Sequence, residues 1–183
     1  LPKLQAVAET LGVSTSHAHL FLGLKCTRAE IQMPEGVVWL KGPVFISARG
    51  ESQLGLSVLM PVPPMEDAEW ENRKSNIGKR LAQAFLEAFP LARGKIDVSF
   101  IGGPRSTFKY LGRRSSYGLQ MCPERFTFRT NRTLSPYTEY KDVFLTGQDI
   151  LLPGFASQIA TSLITCRALE GMTLLDTILG RDL

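Results

Sequence analysis

The segment from His17 to Val62 constrains the fold most. Three runs there, HAHLFLGLKC (His17 to Cys26), GVVWLKGPVFISARG (Gly36 to Gly50) and LGLSVLMPV (Leu54 to Val62), are rich in Val, Leu, Ile and Phe and bounded by Gly and Pro, the pattern of β-strands. Gly42-Pro43 divides the second run into two short strands. Parallel neighbours need a crossover connection of a dozen or more residues, so strands this closely spaced predict an antiparallel meander.

Beyond Pro61 to Pro64 the stretch MEDAEWENRKSN reads as a charged connection. Ile77, Leu81, Ala84, Phe85 and Ala88 then recur at helical spacing, with Lys79, Arg80, Gln83 and Glu87 largely opposite. A helix over about 76–89 follows, with Ser75 or Asn76 as its cap and Pro90 just past its end. In KIDVSFIGG (Lys95 to Gly103) alternation predicts a strand with Ile96, Val98 and Phe100 on one side and Asp97 and Ser99 on the other. Pro104 to Lys141 has little periodicity and reads as a functional loop region with short elements, including a strand at Thr107 to Tyr110. The fold class is α/β in composition, of the α+β kind.

With 183 residues, 44% hydrophobic and 21% charged, the chain can bury a sizeable core. Its net charge of +4 comes from scattered bases such as Arg113-Arg114 and the set Arg125, Arg129 and Arg132, with few interleaved aromatics. That distribution suits a solvated face better than a nucleic-acid groove, while contact with phosphate or a lipid surface stays open. Cys26, Cys122 and Cys166 lack CxxC spacing and predict free thiols, with Cys166 a buried small hydrophobe on a helix. His17 and His19 share one face of a strand, but no third ligand lies nearby to complete a metal site. No run reaches the roughly 18 apolar residues that a membrane-spanning helix requires. The chain opens on Leu1 rather than methionine, which predicts a trimmed chain or a piece of a longer one.

The stretch VFLTGQDILLPGFASQIATSL (Val143 to Leu163) carries the chemistry. Val143 to Thr146 reads as a short apolar strand with Gly147-Gln148-Asp149 at its C-terminal end, where open α/β sheets bind ligands. Gly147 lets backbone approach a ligand closely, and the ionised Asp149 accepts hydrogen bonds from sugar or ribityl hydroxyls. Pro153-Gly154 opens a helix over Phe155 to Ala168 that is apolar nearly all round, so burial is expected, with its N-terminal amides facing a phosphate or a carbonyl. The same residues also suit plain turns and a helix cap, because a short G-x-D is weak evidence by itself.

Residues Val143 to Leu169, together with LFLGLK (Leu20 to Lys25), AFLEAFP (Ala84 to Pro90) and GGPRSTFKYLGRRSSYG (Gly102 to Gly118), resemble the flavoprotein family of retinol saturases, carotenoid isomerases and phytoene desaturases. Leu-Thr-Gly-Gln-Asp is the nearest signature, and the resemblance runs from about Ser16 to Gly171. It implies a bipartite oxidoreductase of the FAD-dependent amine-oxidase-like superfamily, with a Rossmann-like FAD domain and an inserted substrate domain of mixed sheet and helices. Residues 1–112 would be the later part of the substrate domain, 113–142 an irregular connection near the flavin, and 143–183 the strand and helix completing the FAD domain. Gly147, Gln148, Asp149, Gly154, Phe155 and Ala156 would contact FAD. Tyr110, Arg113, Tyr117 and Gly118 would lie near substrate or flavin.

By the same resemblance the substrate is an apolar carotenoid- or retinoid-like polyene, and the reaction saturates, desaturates or isomerises a double bond. Membrane association is implied too, at the endoplasmic reticulum or plastid. LLPGFAS departs from the family's usual stretch, and no G-x-G-x-x-G follows a strand, so the chain reads as a C-terminal part that binds FAD poorly and is inactive alone. A flavin amine oxidase, or a non-catalytic module for an apolar ligand or partner, remains the alternative.

Overall fold

A computed structural model describes residues 2–40, 42–50 and 53–170. Its elements are α1 (Pro2–Leu11), β1 (Ser16–Leu24), β2 (Val37–Trp39), β3 (Phe45–Arg49), β4 (Leu54–Val62), α2 (Asp67–Ala88), β5 (Ile96–Gly102), α3 (Pro104–Leu111), α4 (Phe128–Thr133) and α5 (Phe155–Glu170). The chain divides into two compact units, Thr15–Ser116 and Leu1–Ser14 with Tyr117–Leu183. The architecture is α+β, as the sequence predicts.

In the first unit the described residues form a five-stranded sheet in the order β2-β3-β4-β1-β5, antiparallel throughout. The expected meander accounts for β2, β3 and β4, while β1 and β5 extend the sheet beyond β4. Along β1, Ser16, Ala18, Leu20, Leu22 and Leu24 are buried and the residues between them only partly so. Alternation of this kind sends one set of side chains to each face. The buried set packs with Leu54, Leu56 and Val58 of β4 and Ile46 of β3 against Trp70, Ile77, Leu81 and Phe85 of α2.

Helix α2 corrects the sequence reading. It begins at Asp67, so the charged run is helical and Ser75 and Asn76 lie inside the helix rather than at its cap. Trp70 extends the apolar stripe one heptad ahead of Ile77. On the outer face Arg73 pairs with Glu69 and Lys74 with Glu71 at helical spacing. Asp67 and Glu69 in the first turn also suit the positive end of the helix dipole.

Two further expectations change. Thr107 to Tyr110 is helical, within α3, because Pro104 starts that helix and Gly112, at φ +68°, ends it. In β5 the pairing register shifts at Gly23/Leu24, so Leu24 faces Ile96 although Gly23 faces Val98. That bulge separates Ile96, which packs on the core with Ile101, from Val98 and Phe100, which stand exposed on the opposite face. The sequence reading also missed α1.

The opposite face of the sheet is apolar and aromatic. Trp39 and Phe100 are 69% and 61% exposed. Phe21 stacks on Phe100 with centroids 4.8 Å apart, His19 stacks on Phe21 at 5.7 Å, and Trp39 tilts against Phe45 at 5.0 Å. Burial lowers the pKa of His17 and of His19, and for His19 the neighbouring His17 lowers it further.

Phe85→Ala is expected to destabilise this unit by about 3–5 kcal/mol. Val98→Ser, at an exposed site, should change stability by no more than about 0.5 kcal/mol. Denaturant unfolding followed by fluorescence of the buried Trp70 measures both. The two histidines bind protons near pH 6.5 when unfolded and only at lower pH when folded, so their contribution to stability is complete above about pH 6.5 and falls as pH drops toward the lowered folded values. His17→Gln/His19→Gln should flatten the stability profile across that window.

Candidate functional site

In the second unit the predicted Gly-Gln-Asp stretch forms a turn. The Ile150 amide donates to the Gly147 carbonyl at 3.2 Å, and Gly147 has φ +100°, a conformation that glycine adopts without strain. Val143 to Thr146 is not a parallel strand. Phe144 makes an isolated antiparallel bridge with Tyr137, and the Leu145 amide donates to the Pro136 carbonyl. Among the described residues no strand runs alongside it, so this run joins no ladder there. The position of the turn at the end of a parallel strand is therefore not seen among the described residues.

Asp149 is held by its own unit. Its Oδ1 accepts a hydrogen bond from the Leu119 amide at 2.7 Å. Gly118 lies directly against this carboxylate, which occupies the space that a Cβ at position 118 would need. Gly118 thus meets the adjacent Gln148 and Asp149, which follow it by about 30 residues in the sequence, at one locus.

The residue that binds this locus together is Arg125, which the sequence reading counted among scattered bases. Its side chain is 2% exposed. Its guanidinium donates to the carbonyls of Leu119 at 3.0 Å, Gln148 at 2.8 Å and Leu151 at 3.3 Å. Among the described residues no carboxylate forms an ion pair with it. Residue Leu119 therefore donates to the Asp149 carboxylate through its N–H and accepts from Arg125 through its C=O, which belong to the two successive peptide groups on either side of its Cα. Each of these two neighbouring peptide groups thus has a charged partner, and charge-assisted hydrogen bonds are the stronger kind.

Helix α5 starts one residue after Gly154, which has φ +108° and open space where a side chain would stand. The Leu152 amide donates to Ser157 Oγ, and the Gln158 amide to the Gly154 carbonyl. The amides of Phe155, Ala156 and Ser157 donate to no described residue. The helix forms where predicted but is not buried all round. Thr161 and Thr165 are its buried residues, Thr165 Oγ1 donating to the Leu145 carbonyl, whereas Phe155 is 82% exposed and Ile159, Ile164 and Leu169 are exposed too. Thr165 ties the helix to Leu145, Thr161 bonds back to carbonyls within the helix, and the remaining described side chains are half-buried or exposed. Cys166 is half-buried on this helix, and the buried thiol is Cys26 instead.

Tyr117 begins the same unit. Tyr110 and Arg113 belong to the sheet unit, Tyr110 exposed on α3 and Arg113 exposed in the turn beyond it. Neighbouring Arg114 is structural. It pairs with Glu66 and Asp67 and lies over the Phe108 ring at 4.4 Å. The His17 and His19 rings are 6.0 Å apart, and no group of three or more metal-ligating side chains occurs among the described residues. No helix of the described residues is long and apolar enough to cross a membrane. Arg125→Met would leave three carbonyls without their donor and should cost at least about 2 kcal/mol in this unit. Faster hydrogen exchange of the Leu119 and Ile150 amides would report it.

No family model matches the chain. The chain is similar to all-trans-retinol 13,14-reductase of Danio rerio, with 32% identity over 88 residues that cover 47% of this chain and 14% of that protein. It thus spans a small part of that relative's length. The similarity is partial and distant, and it is to an oxidoreductase.

Proposed function

We propose that this chain is part of an FAD-dependent oxidoreductase acting on a retinoid- or carotenoid-like polyene, whose double bond it saturates, desaturates or isomerises. The observation that carries the reading is the exposed aromatic face of the sheet. Trp39, Phe45, Leu59 and His19 fall in one row across four strands; the next row runs Val37, Ser47, Ser57, Phe21 and Phe100, with the two serines between its apolar ends. Five strands spaced by roughly 4.8 Å give this face a width of about 19 Å. A flat, rigid, apolar chain lying on such a face buries area while giving up little conformational freedom. The partial similarity to a retinol reductase supports the same substrate class.

The second unit's residues fit the oxygen-rich part of FAD. The amides of Phe155 and Ala156, which donate to no described residue, stand at the positive end of α5 and suit phosphate or carbonyl oxygens, and open space at Gly154 leaves room for them. Asp149 Oδ1 is committed to Leu119, while Oδ2 accepts from no described residue and is available to a ribityl hydroxyl. Gly147 and Gln148 complete this contact, with Arg125 fixing the turn. When bound, the flavin supplies the hydride or electron transfer. Tyr117 and Gly118 adjoin the turn, and Tyr110 and Arg113 are proposed to face the substrate or flavin. The exposed apolar residues of the chain also suit peripheral membrane contact, through which so apolar a substrate would be delivered.

A second reading rests on the same sheet face. Without a flavin, that face would serve a non-catalytic module that carries an apolar ligand.

The full-length gene product, purified without added cofactor, is expected to show flavin absorption bands. Asp149→Ala and Gly154→Val should each lower flavin occupancy, and full occupancy in both would remove these residues from the cofactor site. A colourless product that takes up no added FAD would favour the carrier. Phe100→Asp, at an exposed position, should leave the fold intact and weaken retinol binding about tenfold, read from energy transfer out of Trp39.

A further inference from the structure

We propose that a groove in the second unit, between α1 and α4, binds a phosphate-bearing ligand of the nucleotide class. The groove offers about 750 Å³, within the range of small-molecule sites, and of its residues only Leu145, two positions before Gly147, adjoins the cofactor locus described above. Lys3 reaches it from the first turn of α1, and Arg129 and Arg132, one helical turn apart on α4, line it from the other side. One carboxylate, Glu139, also lines it. Among the described residues, none of the three cations forms an ion pair.

Three like charges gathered on one concave surface repel one another, and a phosphate relieves that repulsion while accepting the forked hydrogen bonds of an arginine. The hydroxyls of Thr133 and Thr138 are engaged with backbone carbonyls, which leaves recognition of the anion to the cations. Phe128, 83% exposed, and Tyr137 stand beside these charges and offer ring faces to a planar base. Phosphate together with a flat ring is the chemistry of a nucleotide. The groove has an ordered frame, since Thr127 caps α4 by accepting from the Thr130 amide and Leu134 and Pro136, which follow that helix, are buried.

Calorimetric titration of the full chain with ADP, with inorganic pyrophosphate and with phosphatidylserine vesicles tests the proposal. ADP should bind saturably and more weakly as salt rises. Arg129→Glu/Arg132→Glu should weaken ADP at least about tenfold with an unchanged circular dichroism spectrum. Phe128→Ala should weaken ADP several-fold and leave pyrophosphate unaffected. Absence of saturable ADP binding, ADP binding indifferent to the double charge reversal, or binding to vesicles alone would each overturn the assignment. If the double variant loses its circular dichroism signal, Arg129→Gln and Lys3→Gln replace it under the same criterion. Flavin occupancy of the full-length product is read separately, so either proposal can fail without the other.

Discussion

The pairing of β1 with β4, from Ser16 opposite Val62 to Leu24 opposite Leu54, sets the register on which the sheet unit depends. A slip of one residue would turn Leu20, Leu22 and Leu24 onto the outer face and bring His19 and Phe21 under α2. Because α2 presents Trp70, Ile77, Leu81 and Phe85 in a single stripe, the helix accepts only the first arrangement. The same register creates the outer face. Once the leucines are committed to the core, alternation leaves Phe21 and His19 together outside, and β5 adds Phe100 beside them.

Much of this was legible in the sequence wherever one physical signal was undivided. Strands β1, β3 and β4 carry clear alternation or unbroken apolar runs between Gly and Pro, and their positions follow within a few residues. The first half of α2 was hidden because its one deeply buried side chain, Trp70, stands a heptad away from Ile77 amid charges that belong to the outer face. Residues Thr107 to Tyr110 look like a strand in isolation, yet the flanking Pro104 and Gly112 supply helix start and stop signals that decide the matter. The faces of β5 could not be read from alternation because a bulge interrupts its period at the Ile96 end.

The candidate cofactor site was legible in a different way. Gly147, Gln148 and Asp149 announced a turn, and Pro153-Gly154 announced a helix, so the local elements were available from residue chemistry. What brings Gly118 and Asp149 together was not, because nothing in an irregular stretch marks one arginine among several as the buried one. Arg125 differs from Arg129 and Arg132 only in what the fold places around it: three carbonyls for the first, an open groove for the others. The half-exposed α5 has a related cause, since composition reports that a helix is apolar without reporting which neighbours are present to cover it.

The bridge from Arg125 through the backbone of Leu119 to Asp149 bears on how the molecule looks from a distance. A cation and an anion bonded to the two peptide groups that flank one residue form a compact dipole, whose potential decays faster with distance than that of a lone charge. Beyond the Debye length of about 8 Å at physiological salt, little of either charge remains to be felt. The Gly147 to Leu151 turn is therefore nearly invisible to an approaching ligand, and capture there would depend on contact rather than attraction. Long-range steering of anions falls to the exposed bases that supply the net charge of +4.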